Sequence, residues 1–138
     1  MRNSFIIPYR ERQCLTQVTG RFWHDASVPK PWLVELLLYF ERTAVTLAVT
    51  EEDEIDTVSR ILADDPEIYE VDLSGVIPWR GAIGHPLMWA WEMTNQQGYL
   101  DGIQLEFAAD VASESVTVQL LALGAQLRVR GVSLVPGG

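Results

Sequence analysis

The chain has 138 residues, 48% of them hydrophobic, and a formal net charge of −9. That length suits one domain, residues 1–138, with a buried core, and the composition excludes a disordered chain. No apolar run reaches the ~18 residues a membrane helix needs, and the acidic excess argues against nucleic acid or an anionic membrane surface as partner.

The first ten residues do not read as a leader, because Pro8 and Arg10 interrupt the apolar start. Cys14 is the only cysteine. It has no disulfide partner in the chain, which fits a reducing compartment and predicts a cytoplasmic protein. Residues 14–23 hold Val18 and Phe22 in phase as an early strand. In residues 33–41, Val34, Leu36, Leu38 and Phe40 alternate with polar or outward positions, and in 43–50 the same alternation returns as Val45, Leu47 and Val49. The short junction between them makes these neighbours in an antiparallel meander. Residues 55–62 form a weaker third strand with Ile55 and Ile61 on one side.

Residues 64–78 lose periodicity and carry Pro66, Gly75 and Pro78, so an irregular connection is expected, with at most a helical turn. A short helical turn is predicted over 79–85, between Pro78 and Pro86. The strongest feature is a hairpin over 87–107. Leu87, Trp89, Trp91 and Met93 share one parity before the turn, and Ile103, Leu105 and Phe107 share one after it. Two more strands follow, 116–122 and 127–134, the second changing parity at Gly131 as a bulge would. Residues 136–138 read as a loose tail. The fold class expected is mainly β, with α+β the alternative: an antiparallel meander of six to eight strands and one or two short helical turns.

Charge is concentrated. Residues 51–72 hold ten acidic side chains against Arg60 alone, which equals the net charge of the whole chain. Either this is a solvated loop, or Glu51, Glu52, Asp53, Glu54 and Asp56 form a surface that speeds encounter with a basic protein. The run lacks the glycine and the placed glutamate of a calcium loop. Cys14, His24 and His85 do not supply a metal set, and their spacing is not that of a nucleophile with its base. No phosphate loop, dinucleotide fingerprint or nucleophile elbow is present. No catalytic residue, metal or cofactor is therefore expected.

The hairpin tip carries more polar specificity than a turn requires. Gly98 suits a positive φ, and Asn95 can bond the turn's own backbone. In one reading Asn95 and Asp101 serve backbone donors while Trp89 and Trp91 are core. In the other, Asn95, Gln96, Gln97, Tyr99 and Asp101 form a recognition rim beside aromatic anchors such as Trp79, with Arg80 in the same patch.

The stretch Leu87-Met88-Trp89-Ala90-Trp91-Glu92-Met93-Thr94-Asn95-Gln96-Gln97-Gly98-Tyr99-Leu100-Asp101-Gly102-Ile103-Gln104-Leu105-Glu106-Phe107 resembles a family of small bacterial proteins of unknown function. The shared features are a tryptophan, an Asn-Gln-Gly-Tyr type of turn, an acidic residue and an apolar strand. The resemblance covers about 20 residues closely and implies a bacterial, cytoplasmic protein with nothing catalytic to carry over. It marks Asn95, Gln96, Gln97, Gly98, Tyr99 and Asp101 as the residues to test first. The leading expectation for function is a non-enzymatic domain that binds a protein partner, immunity- or antitoxin-like capture of a basic protein being one version. The alternatives are a small-ligand or enzymatic pocket lined by Trp79, Trp89, Tyr99 and Asp101, and a structural subunit that homodimerises.

Overall fold

A computed structural model describes residues 3–59, 65–110 and 114–132. Within them the chain is mainly β and antiparallel, as its alternation predicts, but the strands number nine and divide into two sheets. The first sheet contains β1 (Leu15–Trp23), β2 (Trp32–Phe40), β3 (Ala44–Val49), β4 (Ile55–Asp56) and β5 (Ile68–Asp72), in the order β4-β3-β2-β1-β5. Four strands follow one another as a meander, and the fifth returns beside the first, as in a Greek key. The second sheet is a plain meander of β6 (Leu87–Thr94), β7 (Leu100–Phe107), β8 (Val116–Leu123) and β9 (Gln126–Val132).

The sheets share one core. Val18, Leu36, Leu38, Val45 and Leu47 from the first meet Ile103, Leu105, Phe107, Val118 and Leu120 from the second, all buried. β2 and β3 approach β9, and β4 approaches β7. A bridge between Cys14 and Pro86 joins the start of β1 to the start of β6. Burying so many branched and aromatic side chains between two layers is what stabilises such a fold.

Several details depart from the sequence reading. A helix, α1 (Asn3–Arg10), precedes the first strand and buries Phe5 and Pro8. Its periodic signal is hidden because it is short and contains Pro8, which cannot donate to the carbonyl four residues back. It ends at Arg10, and the chain turns away at Arg12, whose φ is 51°. The third strand of the meander is only the two residues of β4; Ile61 and Leu62 lie outside the described residues. β5 falls where an irregular connection was expected, its side chains Tyr69, Glu70, Val71 and Asp72 all exposed on the sheet edge. The short turn expected after Pro78 is present as a 3-10 turn, Trp79–Gly81. No bulge occurs at Gly131: β8 and β9 pair without a break from Leu123↔Gln126 to Thr117↔Val132. Leu134 and the tail lie outside the described residues.

Candidate functional site

The parity of β6 decides which face its tryptophans occupy. Leu87 pairs with Phe107 and Trp89 with Glu106, so Met88 is an extra residue in a bulge. The inserted residue sends Leu87 and Ala90 into the core and turns Trp89, Trp91 and Met93 outward. Trp89 and Trp91 keep 39% and 41% of their surface exposed, so they are not core. Their rings lie edge to face, with centroids 6.2 Å apart, and Tyr9 from α1 packs edge-on against Trp89 at 5.6 Å. Two exposed indole rings, backed by the half-buried Tyr9, thus form one ridge along the outer edge strand, β6, of the second sheet.

The strand pairing places defined neighbours beside this ridge. Trp91 sits across from Gln104, Gln104 from Gln119, and Gln119 from Arg130. The row on one side reads Trp89, Glu106, Thr117, Val132, and the row on the other Met93, Gly102, Leu121, Arg128. Gly102 gives Met93 and Leu121 room on this face: a Cβ there would lie 2.7 Å from Met93 Cε and 3.1 Å from Leu121 Cδ2, so the methionine end would have to move. Arg130 Nε donates to Gln119 Oε1 at 2.6 Å, which lays the guanidinium along the sheet. Along its central row the face grades from aromatic on β6, through amides on β7 and β8, to cationic on β9, while Glu106 on β7 adds one acid beside Trp89. Tryptophan, tyrosine, methionine and arginine are the residues enriched where proteins meet.

The hairpin tip is built as its sequence suggests. Gly98 has φ 85°. Asn95 Oδ1 accepts from the backbone N–H of Gln97 at 2.9 Å and of Tyr99 at 3.2 Å, while Gly98 N–H donates to Asn95 O at 3.0 Å. Asn95 thus serves the turn, whereas Gln96, Gln97 and Tyr99 are exposed. Asp101 is half-buried at an irregularity in the β6–β7 register, and its side chain makes no hydrogen bond among the described residues.

Trp79 does not join this rim. It is 2% exposed, within the core, and its turn abuts Val116 through Gly81. Val116 pairs with Phe107, at the end of β7 opposite Leu100. The length of β7 separates Trp79 and the exposed Arg80 from Tyr99, roughly 20 Å at ~3.3 Å per residue. The four residues Trp79, Trp89, Tyr99 and Asp101 accordingly do not line one pocket. Arg80 instead borders a cleft of about 440 Å³ with Ile77, Pro78 and Val132.

The acidic segment proves to be divided among structural tasks. Asp53, with φ 56°, accepts from the backbone N–H of Gly124 at 3.2 Å and of Ala125 at 2.7 Å, tying the β3–β4 turn to the β8–β9 turn. Asp56 accepts from Thr57 N–H. Glu67 accepts from Trp23 Nε1 at 2.9 Å and Glu70 from Arg21 Nε at 2.9 Å. The Ser74 hydroxyl and N–H hold the Asp72 carboxyl below its usual range. Glu51 and Glu52 are exposed, and Glu54 is half-buried.

One charged residue is placed on the outward face by the alternation of its strand yet is buried. Glu35, on β2, is 1% exposed, bonded to Arg21 Nη1 at 3.1 Å and to the Ser59 hydroxyl at 2.9 Å. It also borders a cleft of about 300 Å³ with Trp23, Thr50 and Glu51. Its only sequence signal is a glutamate in an otherwise apolar strand, which reads equally well as an outward position. Tyr9 was missed with its helix. No group of three or more His, Cys, Asp or Glu able to hold a metal occurs among the described residues, and no helix among them is long and apolar enough to cross a membrane.

Fold and face together define a two-sheet antiparallel β domain with exposed or half-buried aromatic rings on both sheets: Trp89 and Trp91 on the second, and on the first Tyr69 stacked on Phe22 and Trp23 beside Trp32. The chain belongs to the family of unknown function DUF6334, which it matches over residues 1–135. No curated protein and no solved structure is significantly similar to it.

Proposed function

We propose that this chain is a non-enzymatic protein-binding domain that docks through the outer face of its second sheet. The observation that carries the proposal is the pair Trp89 and Trp91, adjacent and each about two-fifths exposed. A folded chain gains by burying such rings, and a sheet that shows two of them to water has left that gain to a partner. A bulge is spent to turn them outward, although the same strand with an unbroken register would bury them.

A basic partner captured by acid is the second reading, favoured by the exposed Glu51, Glu52, Glu67, Glu70 and Asp72, although Asp53, Glu67, Glu70 and Asp72 also hold partners within the chain. Affinity capture from a native lysate separates the two. The account predicts that Trp89→Ala/Trp91→Ala loses the captured protein while Glu51→Lys/Glu52→Lys keeps it at physiological salt. Retention by the tryptophan variant with loss from the charge-reversed one would overturn the proposal in favour of acidic capture.

A further inference from the structure

Resting on that docking face, we infer that its occupant is a second copy of this chain, packed face to face about a two-fold axis parallel to the strands. Such an axis lies between the two sheets and exchanges their edges: β6 of one copy comes to lie over β9 of the other, and β7 over β8. Residues in the same row then meet. Trp91 lies over the partner copy's arginine at position 130, and Gln104 over its glutamine at position 119, because the row reads Trp91, Gln104, Gln119, Arg130. Both contacts occur twice, as an isologous interface requires.

The chemistry of each pairing is favourable. A guanidinium over an indole face is a cation–π contact, strengthened when water is removed. Arg130 Nε already donates to Gln119 Oε1, so part of its side-chain freedom is lost before any stacking. Paired glutamines can satisfy one another's donor and acceptor. In the next row Met93 faces the second cation, Arg128, whose alkyl stem offers it apolar surface. The face is aromatic along one edge and cationic along the other, which is the asymmetry a two-fold turns into complementarity. Aligned packing of two sheets is also a standard geometry. The acidic first sheets would point away from each other, which keeps the like charges of two chains apart.

The area sets the strength. Four strands ~4.8 Å apart and about seven residues long at ~3.3 Å span roughly 450 Å² in projection. That is at the low end for a specific interface, so a weak dimer is expected, with a dissociation constant in the micromolar range.

Sedimentation equilibrium on the full chain from about 1 to 500 μM covers that range, with circular dichroism to confirm folding. The wild type is expected to pass from monomer to dimer. Arg130→Glu places a carboxylate over each indole, and Trp91→Arg places two guanidinium groups against each other, so each alone should weaken the dimer at least tenfold. An equimolar mixture of the two folded variants should recover a heterodimer, since the introduced guanidinium then meets the introduced carboxylate. Recovery on mixing supports the register and the two-fold. A wild type monomeric throughout, a dimer indifferent to both changes, or a mixture that stays monomeric overturns it. If the wild type is monomeric yet Trp89→Ala/Trp91→Ala abolishes capture of a different protein, only the identity of the partner is wrong. If that capture is also unchanged, the docking face itself is wrong.

Discussion

Replacing Gly98 by valine tests how the hairpin tip is held. The backbone there has φ 85°, and an added Cβ would meet nothing within 4 Å. Steric clash with neighbours is therefore absent, and the cost comes from the backbone alone. A side chain in the left-handed region costs roughly 1–2 kcal/mol, and strain of this kind lies within about 1–3 kcal/mol. At about 2.1 cal/mol/K per residue, the unfolding entropy of a chain this size is ~0.3 kcal/mol/K, so Tm should fall by roughly 3–10 °C. Gly98→Asn should lose less, because asparagine tolerates that region. Gly75→Ala, where nothing lies within 4 Å and no positive φ is required, should leave Tm unchanged or slightly raised. Scanning calorimetry on the three variants decides the matter. A Gly98→Val protein that melts with the wild type would refute the conformational argument.

Three further perturbations address other parts of the molecule. The Cys14 thiol is pushed up, first by burial and then by the Glu41 carboxylate, whose Oε1 also accepts from Cys14 N–H at 2.7 Å. Thiolate is therefore scarce at neutral pH. Glu41→Gln removes the negative charge, so its alkylation-rate profile should shift to lower pH, and an unmoved profile would contradict the electrostatic cause. Asp53→Ala deletes the two bonds to Gly124 and Ala125 and should cost roughly 1–3 kcal/mol in urea unfolding; a variant with full stability would show that the β3–β4 and β8–β9 turns are held by packing. Arg21→Met takes the guanidinium from the buried Glu35 carboxylate, an expected loss of about 2–4 kcal/mol by the same assay. Wild-type stability there would mean that Glu35 is held by its other partners.

The parts of the fold that the sequence reveals are those where one face is wet and one is dry. Residues of β3, β7 and β8 alternate because each strand has such a pair of faces, whereas β2 is apolar on both and buries Glu35, so its faces are harder to tell apart. Asn95 and Gly98 are legible for a different reason: their roles in the turn are local, set within four residues. What stays hidden depends on distant partners. The bulge at Met88 reverses the meaning of the whole Leu87, Trp89, Trp91 series, and only the register against Glu106 discloses it. Asp53 looks like one acid among many until the β8–β9 turn arrives 71 residues later. Trp79 reads as an anchor because it stands between Pro78 and Arg80, yet it is the largest fully buried side chain. β5 escapes notice because all but its first residue face solvent on an edge.

The proposed docking surface is the outer face of the second sheet. Hydroxyl-radical footprinting tests it most directly, comparing the free chain with the complex it forms, whether with itself at high concentration or with a protein captured from lysate. Trp89 and Trp91 report on the aromatic face and Tyr69, exposed on β5, on the acidic side. Oxidation of both tryptophans should fall on complex formation while that of Tyr69 does not. Protection of Tyr69 with the tryptophans oxidised as before would contradict it.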